Sequence, residues 1–215
     1  DETRARRHLL RQVARRLRQD GVHTSPFRLA QSLAAAFSRF SADPWDRMLT
    51  ETLNDAALGR RLLRDLPYPK HLERPYFAAL PLVSGLASAG FRLGVIANQS
   101  SGTLDRLKAQ GIGRYISCCL SSTEVGVAKP DPRIFEMAER VAGGPTDSLL
   151  MIGDRIDNDI RPARQRGWLT IRILNGLAQG QVPRDSLDQA TASCEGLHQV
   201  ASLLGLEFCP LPRTF

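Results

Sequence analysis

Between residues 78 and 174, short apolar runs alternate with stretches of helical length, and this alternation constrains the fold of the 215-residue chain more than any other feature. Residues 91–96, 115–120, 148–152 and 168–174 read as buried strands. Helices are expected over 78–89, 103–110, 131–141 and 159–166, with Gly90, Gly111 and Gly167 closing three of them. Strands that alternate with helices pair in parallel, because a crossover long enough to hold a helix returns the chain to the same end of the sheet. The expected fold class is α/β, a doubly wound parallel sheet, whose ligands sit outside the carboxyl ends of the strands.

The first third of the chain has a different texture. Leu9, Leu10, Val13 and Leu17 recur at helical spacing, as do Leu29, Leu33, Ala36, Phe37 and Phe40, and no period-two pattern interrupts them. Ser25-Pro26 and Asp43-Pro44 each place a capping side chain ahead of a proline suited to the first helical turn. Pro67 and Pro69 then deny backbone donors and force extended geometry. A small all-helical domain is expected over 1–70 and an α/β domain over 71–215.

Charge and cysteine usage narrow the function classes. The formal net charge is +7, and Arg4, Arg6, Arg7, Arg11, Arg15, Arg16 and Arg18 crowd the first helix. Such a run invites a nucleic-acid reading, but no aromatic residue interleaves with it and no nucleic-acid motif accompanies it, so a solvated basic face with no nucleic-acid partner is the expectation. Cys118, Cys119, Cys194 and Cys209 show no metal-site or redox spacing. No apolar run approaches the roughly 18 residues of a membrane span, and no signal-peptide pattern opens the sequence. A cytoplasmic protein is expected, of open oligomeric state.

Three strand ends carry unusual chemistry. Asn98, Gln99 and Ser100 follow the first strand with amides, a hydroxyl and the N–H groups of a helix start, a cradle suited to phosphate and equally a set of ordinary turn residues. Lys129 stands alone in an uncharged loop ahead of Asp131-Pro132, where a fixed positive charge can offset a phosphate or a carboxylate. The apolar run 149–152 delivers Gly153-Asp154, then Asp157 and Asp159. Oxygen donors gathered this tightly suit a hard cation such as Mg²⁺, and Asp159 is also placed to cap the next helix.

Taken in this order, the loop with Lys129-Pro130-Asp131-Pro132 and the strand ending Ile152-Gly153-Asp154 with Asp159 resemble the third and fourth motifs of the haloacid dehalogenase superfamily, over about residues 80–174. The resemblance implies a Rossmann-like core, the preceding helices as an inserted cap, and a Mg²⁺-dependent phosphatase acting on a small phosphorylated metabolite through an aspartyl-phosphate. It assigns Lys129 and Asp154 to catalysis, Asn98, Gln99, Ser100 and Lys129 to phosphate, and Asp154 and Asp159 to the metal. Ala97 stands where the second motif has Ser or Thr. The family's Asp-x-Asp-x-Thr loop, source of the attacking carboxylate, does not occur in the sequence. The expectation is therefore a chain shortened at its N-terminus by one strand and its loop, inactive by itself. The alternatives are a 2-haloacid dehalogenase, which needs no metal, and a binding module without a nucleophile.

Overall fold

The computed structural model describes residues 2–206, and Cys209 lies outside them. The described residues divide into two compact units, one formed by residues 2–74 with 176–182, the other by 75–175 with 183–206.

The first unit has no strand among its described residues and is built on four helices: α1 (Thr3–Gln19), α2 (Pro26–Ser38), α3 (Pro44–Leu53) and α4 (Ala56–Asp65). The expected caps form, with Ser25 Oγ accepting from Arg28 N at 3.2 Å and Asp43 Oδ1 from Asp46 N at 3.0 Å. Asp55 caps α4 in the same way, accepting from Ala57 N and Leu58 N. Leu9, Leu10, Val13, Leu17, Leu29, Leu33, Met48, Leu49 and Leu62 form one core, in which each fully buried large side chain contributes about 1.5–3 kcal/mol. The segment 176–182 belongs to this unit: Leu177 packs on that core and Gln181 Nε2 donates to Phe37 O at 3.1 Å.

The second unit begins with α5 (Ala79–Ser88) and β1 (Leu93–Ala97), then α6 (Thr103–Ala109) and β2 (Ile116–Ser121). It continues through α7 (Ser122–Val125), α8 (Pro132–Ala142), β3 (Leu150–Gly153), α9 (Arg161–Gln165) and β4 (Leu169–Ile173), and ends with β5 (Ala192–Cys194) and α10 (Val200–Leu203). Every strand pairing is parallel. The strands form two ladders, β1–β2 and β3–β4–β5. Apolar clusters on both faces run from one ladder to the other. Leu82, Leu86 and Leu93 share a cluster with Leu150, Ile152 and Ile171, and Ile96 and Leu120 share another with Met151, Phe135 and Trp168.

The structure corrects one local expectation. Asp159 does not cap the helix that follows it: residues 156–160 form a π-turn, α9 begins at Arg161, and its capping position is Ile160. The Asp159 carboxylate is instead turned back towards the end of β3, where stronger partners hold it.

Candidate active site

All the residues singled out at the strand ends lie in the second unit. Lys129 is held first by its backbone. Asn98, one residue past β1, donates from Nδ2 to Lys129 O at 2.8 Å and accepts from Lys129 N at 2.7 Å. This paired amide contact fixes the lysine loop to the end of β1. Asn98 was expected in the phosphate cradle; its side-chain amide is engaged in holding Lys129.

The lysine side chain is then fixed by charge. Its Nζ lies 2.6 Å from Asp159 Oδ1, and Asp159 Oδ2 accepts from Arg155 N at 3.0 Å. Both carboxylate oxygens of Asp159 are thus taken, one by an ammonium and one by the backbone just beyond Asp154. The π-turn makes this reach possible, and so does Gly153: a Cβ there would come within 2.5 Å of Asp159 Cβ and Cγ, so the strand end needs a residue without one.

Asp154 has a different environment. Burial pushes its carboxyl up to about 6, and the negative charge of Asp159 adds to the shift. Lys129 and Arg155 act in the opposite direction and do not cancel it. Among the described residues no side chain hydrogen-bonds to this carboxylate, while its backbone carbonyl accepts from Arg172 Nε at 3.4 Å. A carboxylate whose charge is disfavoured both by burial and by a second carboxylate is a site where a cation lowers the energy.

Does the donor set fit Mg²⁺? Among the described residues no group of three or more His, Cys, Asp or Glu side chains is gathered for a metal. Asp154 fits as a protein donor, which agrees with the habit of Mg²⁺ of taking one or two carboxylates and leaving other positions to water and phosphate. Asp159 fits behind it, as the group that sets Lys129 in place.

The loop after β1 is anchored through its carbonyls. Gln99 O accepts from Ser121 Oγ at 2.8 Å and Ser100 O from Thr103 Oγ1 at 2.8 Å, while Arg106 Nη1 donates to Ser101 O at 2.9 Å. Gly102 N donates to Glu124 Oε1 at 2.8 Å. The anchoring role of Thr103, Arg106, Ser121 and Glu124 was not read from the sequence. No local sequence signal marks this anchoring, which depends on the register that sets Ser121, at the end of β2, beside Ala97.

Comparison with known proteins identifies relatives of the chain. The family model described as haloacid dehalogenase-like hydrolase matches residues 9–167. A glyceraldehyde 3-phosphate phosphatase of Methanopyrus kandleri is 34% identical over 116 residues, which are 54% of this chain and 50% of that protein. A phosphoserine phosphatase of Thermus thermophilus is 32% identical over 141 residues, 61% of this chain and 55% of that protein. The chain thus spans about half the length of the curated relatives it matches. Among solved structures, the HAD-hydrolase YfnB of Bacillus subtilis shares the fold with a TM-score of 0.68 at 19% identity, covering 95% of this chain and 93% of that one.

Proposed function

The chain belongs to the haloacid dehalogenase-like hydrolase family, and from that premise we propose that its α/β unit carries the lysine and metal side of a phosphatase site for a small phosphorylated metabolite. The observation that carries the reading is the placement of Lys129 against Asp159, beside an Asp154 carboxylate to which, among the described residues, no side chain hydrogen-bonds. In this reading Lys129 holds the phosphoryl oxygens as a fixed cation, and Asn98 keeps its backbone from drifting. Asp159 sets the direction of the ammonium. Gln99 and Ser100 border the phosphate with a loop whose carbonyls are already tied down.

Mg²⁺ held at Asp154 would offset the negative charge that gathers when a phosphate meets a carboxylate. The named relatives, phosphatases of glyceraldehyde 3-phosphate and of phosphoserine, support a phosphorylated small molecule as the substrate class. The need for a cation at Asp154 favours phosphoryl transfer over haloacid ester chemistry. Free thiols at Cys118, Cys119 and Cys194 fit a reducing compartment, and the cytosol is the setting of this reading.

The attacking carboxylate, in this reading, comes on a parallel strand that pairs between β1 and β3. The separation of the two ladders supports this, as do the apolar clusters that span it on both faces. That aspartate bonds to phosphorus as the substrate's ester P–O bond breaks, a second acid protonates the departing oxygen, and water then releases phosphate. The test is to fuse a strand with an Asp-x-Asp-x-Thr loop to the chain and assay p-nitrophenyl phosphate. The fusion should turn over in a Mg²⁺-dependent way, the 215-residue chain should not, and Asp154→Ala should abolish the gain. Asp154-dependent turnover by the 215-residue chain alone would mean that another residue is the nucleophile.

A further inference from the structure

The solvent face of α1 departs from the ordinary rules of helix design. Its apolar face, Ala5, Leu9, Leu10, Val13, Ala14 and Leu17, is buried. From Thr3 to Arg18 every exposed position is Arg or His: Arg4, Arg7, His8, Arg11, Arg15 and Arg18. These positions repeat at three and four residues, so the five guanidiniums lie on one stripe about 21 Å long at the helical rise of about 1.5 Å per residue. The helix contains seven arginines and no acidic residue.

That arrangement works against the helix. Like charges at i,i+3 and i,i+4 repel, as in the pairs Arg7–Arg11 and Arg11–Arg15, and Arg4 and Arg7 lie near the positive end of the helix dipole. No internal acid offsets the repulsion: among the described residues the ion pair made by α1 is Arg16 with Asp20, and none of the five stripe arginines faces a carboxylate. The wider unit repeats the bias. Residues 1–74 and 176–182 hold 15 Lys and Arg against 9 Asp and Glu, so this unit carries +6 of the chain's +7. A face that violates local preference without internal compensation marks a place selected for something outside the chain.

We propose that the arginine stripe of α1 is a docking surface for the phosphate backbone of duplex nucleic acid. Guanidinium forks match phosphate oxygens, and the five charges of the stripe are guanidiniums. A line of charges at helical spacing suits a line of phosphates, and a helix is narrow enough for the major groove. A lipid surface is disfavoured because a helix that lies on a bilayer inserts its apolar face, and here that face is enclosed in the core of the helical unit. Single strands are disfavoured because no aromatic side chain lies on the stripe to stack on bases. The lack of interleaved aromatics, which weighed against a nucleic-acid partner in the sequence, selects among nucleic acids once the stripe is seen. Binding of this kind reads phosphates and not sequence.

The test is fluorescence anisotropy of the 215-residue chain with labelled 20-base-pair DNA and RNA duplexes at 50 and 200 mM salt, beside co-sedimentation with phosphatidylserine vesicles. If five phosphates are engaged, affinity should fall roughly 500-fold between the two salts, from a slope of about −4.5. The triple variant Arg4→Gln, Arg11→Gln, Arg18→Gln should show a fall of only about 12-fold, a slope near −1.8. Its circular dichroism should be unchanged and its melting temperature no lower, since these side chains are exposed and the change relieves repulsion. The proposal is overturned if the wild-type chain binds neither duplex at 50 mM salt, if the variant keeps the wild-type slope, or if only phosphatidylserine vesicles are bound.

Discussion

The Lys129 ammonium and the Asp159 carboxylate meet at 2.6 Å with only 11% and 6% of their side chains exposed. Removing one partner of such a pair leaves the other charge buried without compensation. Asp159→Leu alone should destabilise the chain by about 3–5 kcal/mol, whereas Lys129→Met with Asp159→Leu should recover most of the loss. Urea unfolding of both single variants and the double variant gives the comparison; equal losses in the single and double variants would show that the pair is not coupled.

The strand end at Gly153 tolerates no side chain, because a Cβ would overlap the carboxylate that holds Lys129. Gly153→Ala should cost about 1–3 kcal/mol in stability. The same substitution at Gly21, where a Cβ would meet nothing within 4 Å, probes the cost of its positive φ alone and serves as the reference.

Asp188 adds to the acid sensitivity of the second unit. Burial would raise its carboxyl, but the hydrogen bonds from Arg184 and Arg161 override that and hold it far below the usual range. An unfolded aspartate protonates near pH 4. The contribution of Asp188 is therefore complete above about pH 4 and is lost as the pH falls further towards the lower folded value. Asp188→Asn should lower stability at neutral pH by about 1–3 kcal/mol and flatten the acid limb of a stability-against-pH curve.

Asp154 has the opposite sign. With its folded carboxyl raised to about 6, the metal-free chain gains stability from this group below about pH 4 and loses that gain as the pH rises through about 6. Asp154→Asn should be more stable than wild type at pH 7.5, by on the order of 1–2 kcal/mol, and the two should converge near pH 4. A constant difference across that range would remove the assigned burial.

How much of this was legible in the sequence follows from the range of the signals. The β1, β2, β3 and β4 strands lie within one or two residues of their apolar runs, a local signal, but only β4 is mainly buried: β1 has no buried residue and β2 only Ser121, against the expectation of buried strands. Ser25, Asp43 and Asp131 cap where proline follows them, again a local signal. The three-residue β5 has no pattern to read, and 176–182 shows no mark of belonging with α2. At the site, Lys129, Asp154 and Asp159 were recognisable by type and order. The clamp by Asn98 was not, because it joins residues 31 apart through a side chain that turn chemistry already explained. Asp159 misled for a similar reason: an aspartate ahead of a helix suggests a cap, and only the tertiary position of Lys129 shows what outcompeted the helix N-terminus.

The measurement that bears most directly on the site is calorimetric titration of the 215-residue chain with Mg²⁺ at pH 7.5, with and without orthophosphate, repeated for Asp154→Asn and Lys129→Met. The account predicts weak Mg²⁺ binding that orthophosphate strengthens, loss of Mg²⁺ binding in Asp154→Asn, and retention of it in Lys129→Met without the strengthening by orthophosphate. Mg²⁺ binding that is the same in Asp154→Asn as in wild type would contradict it.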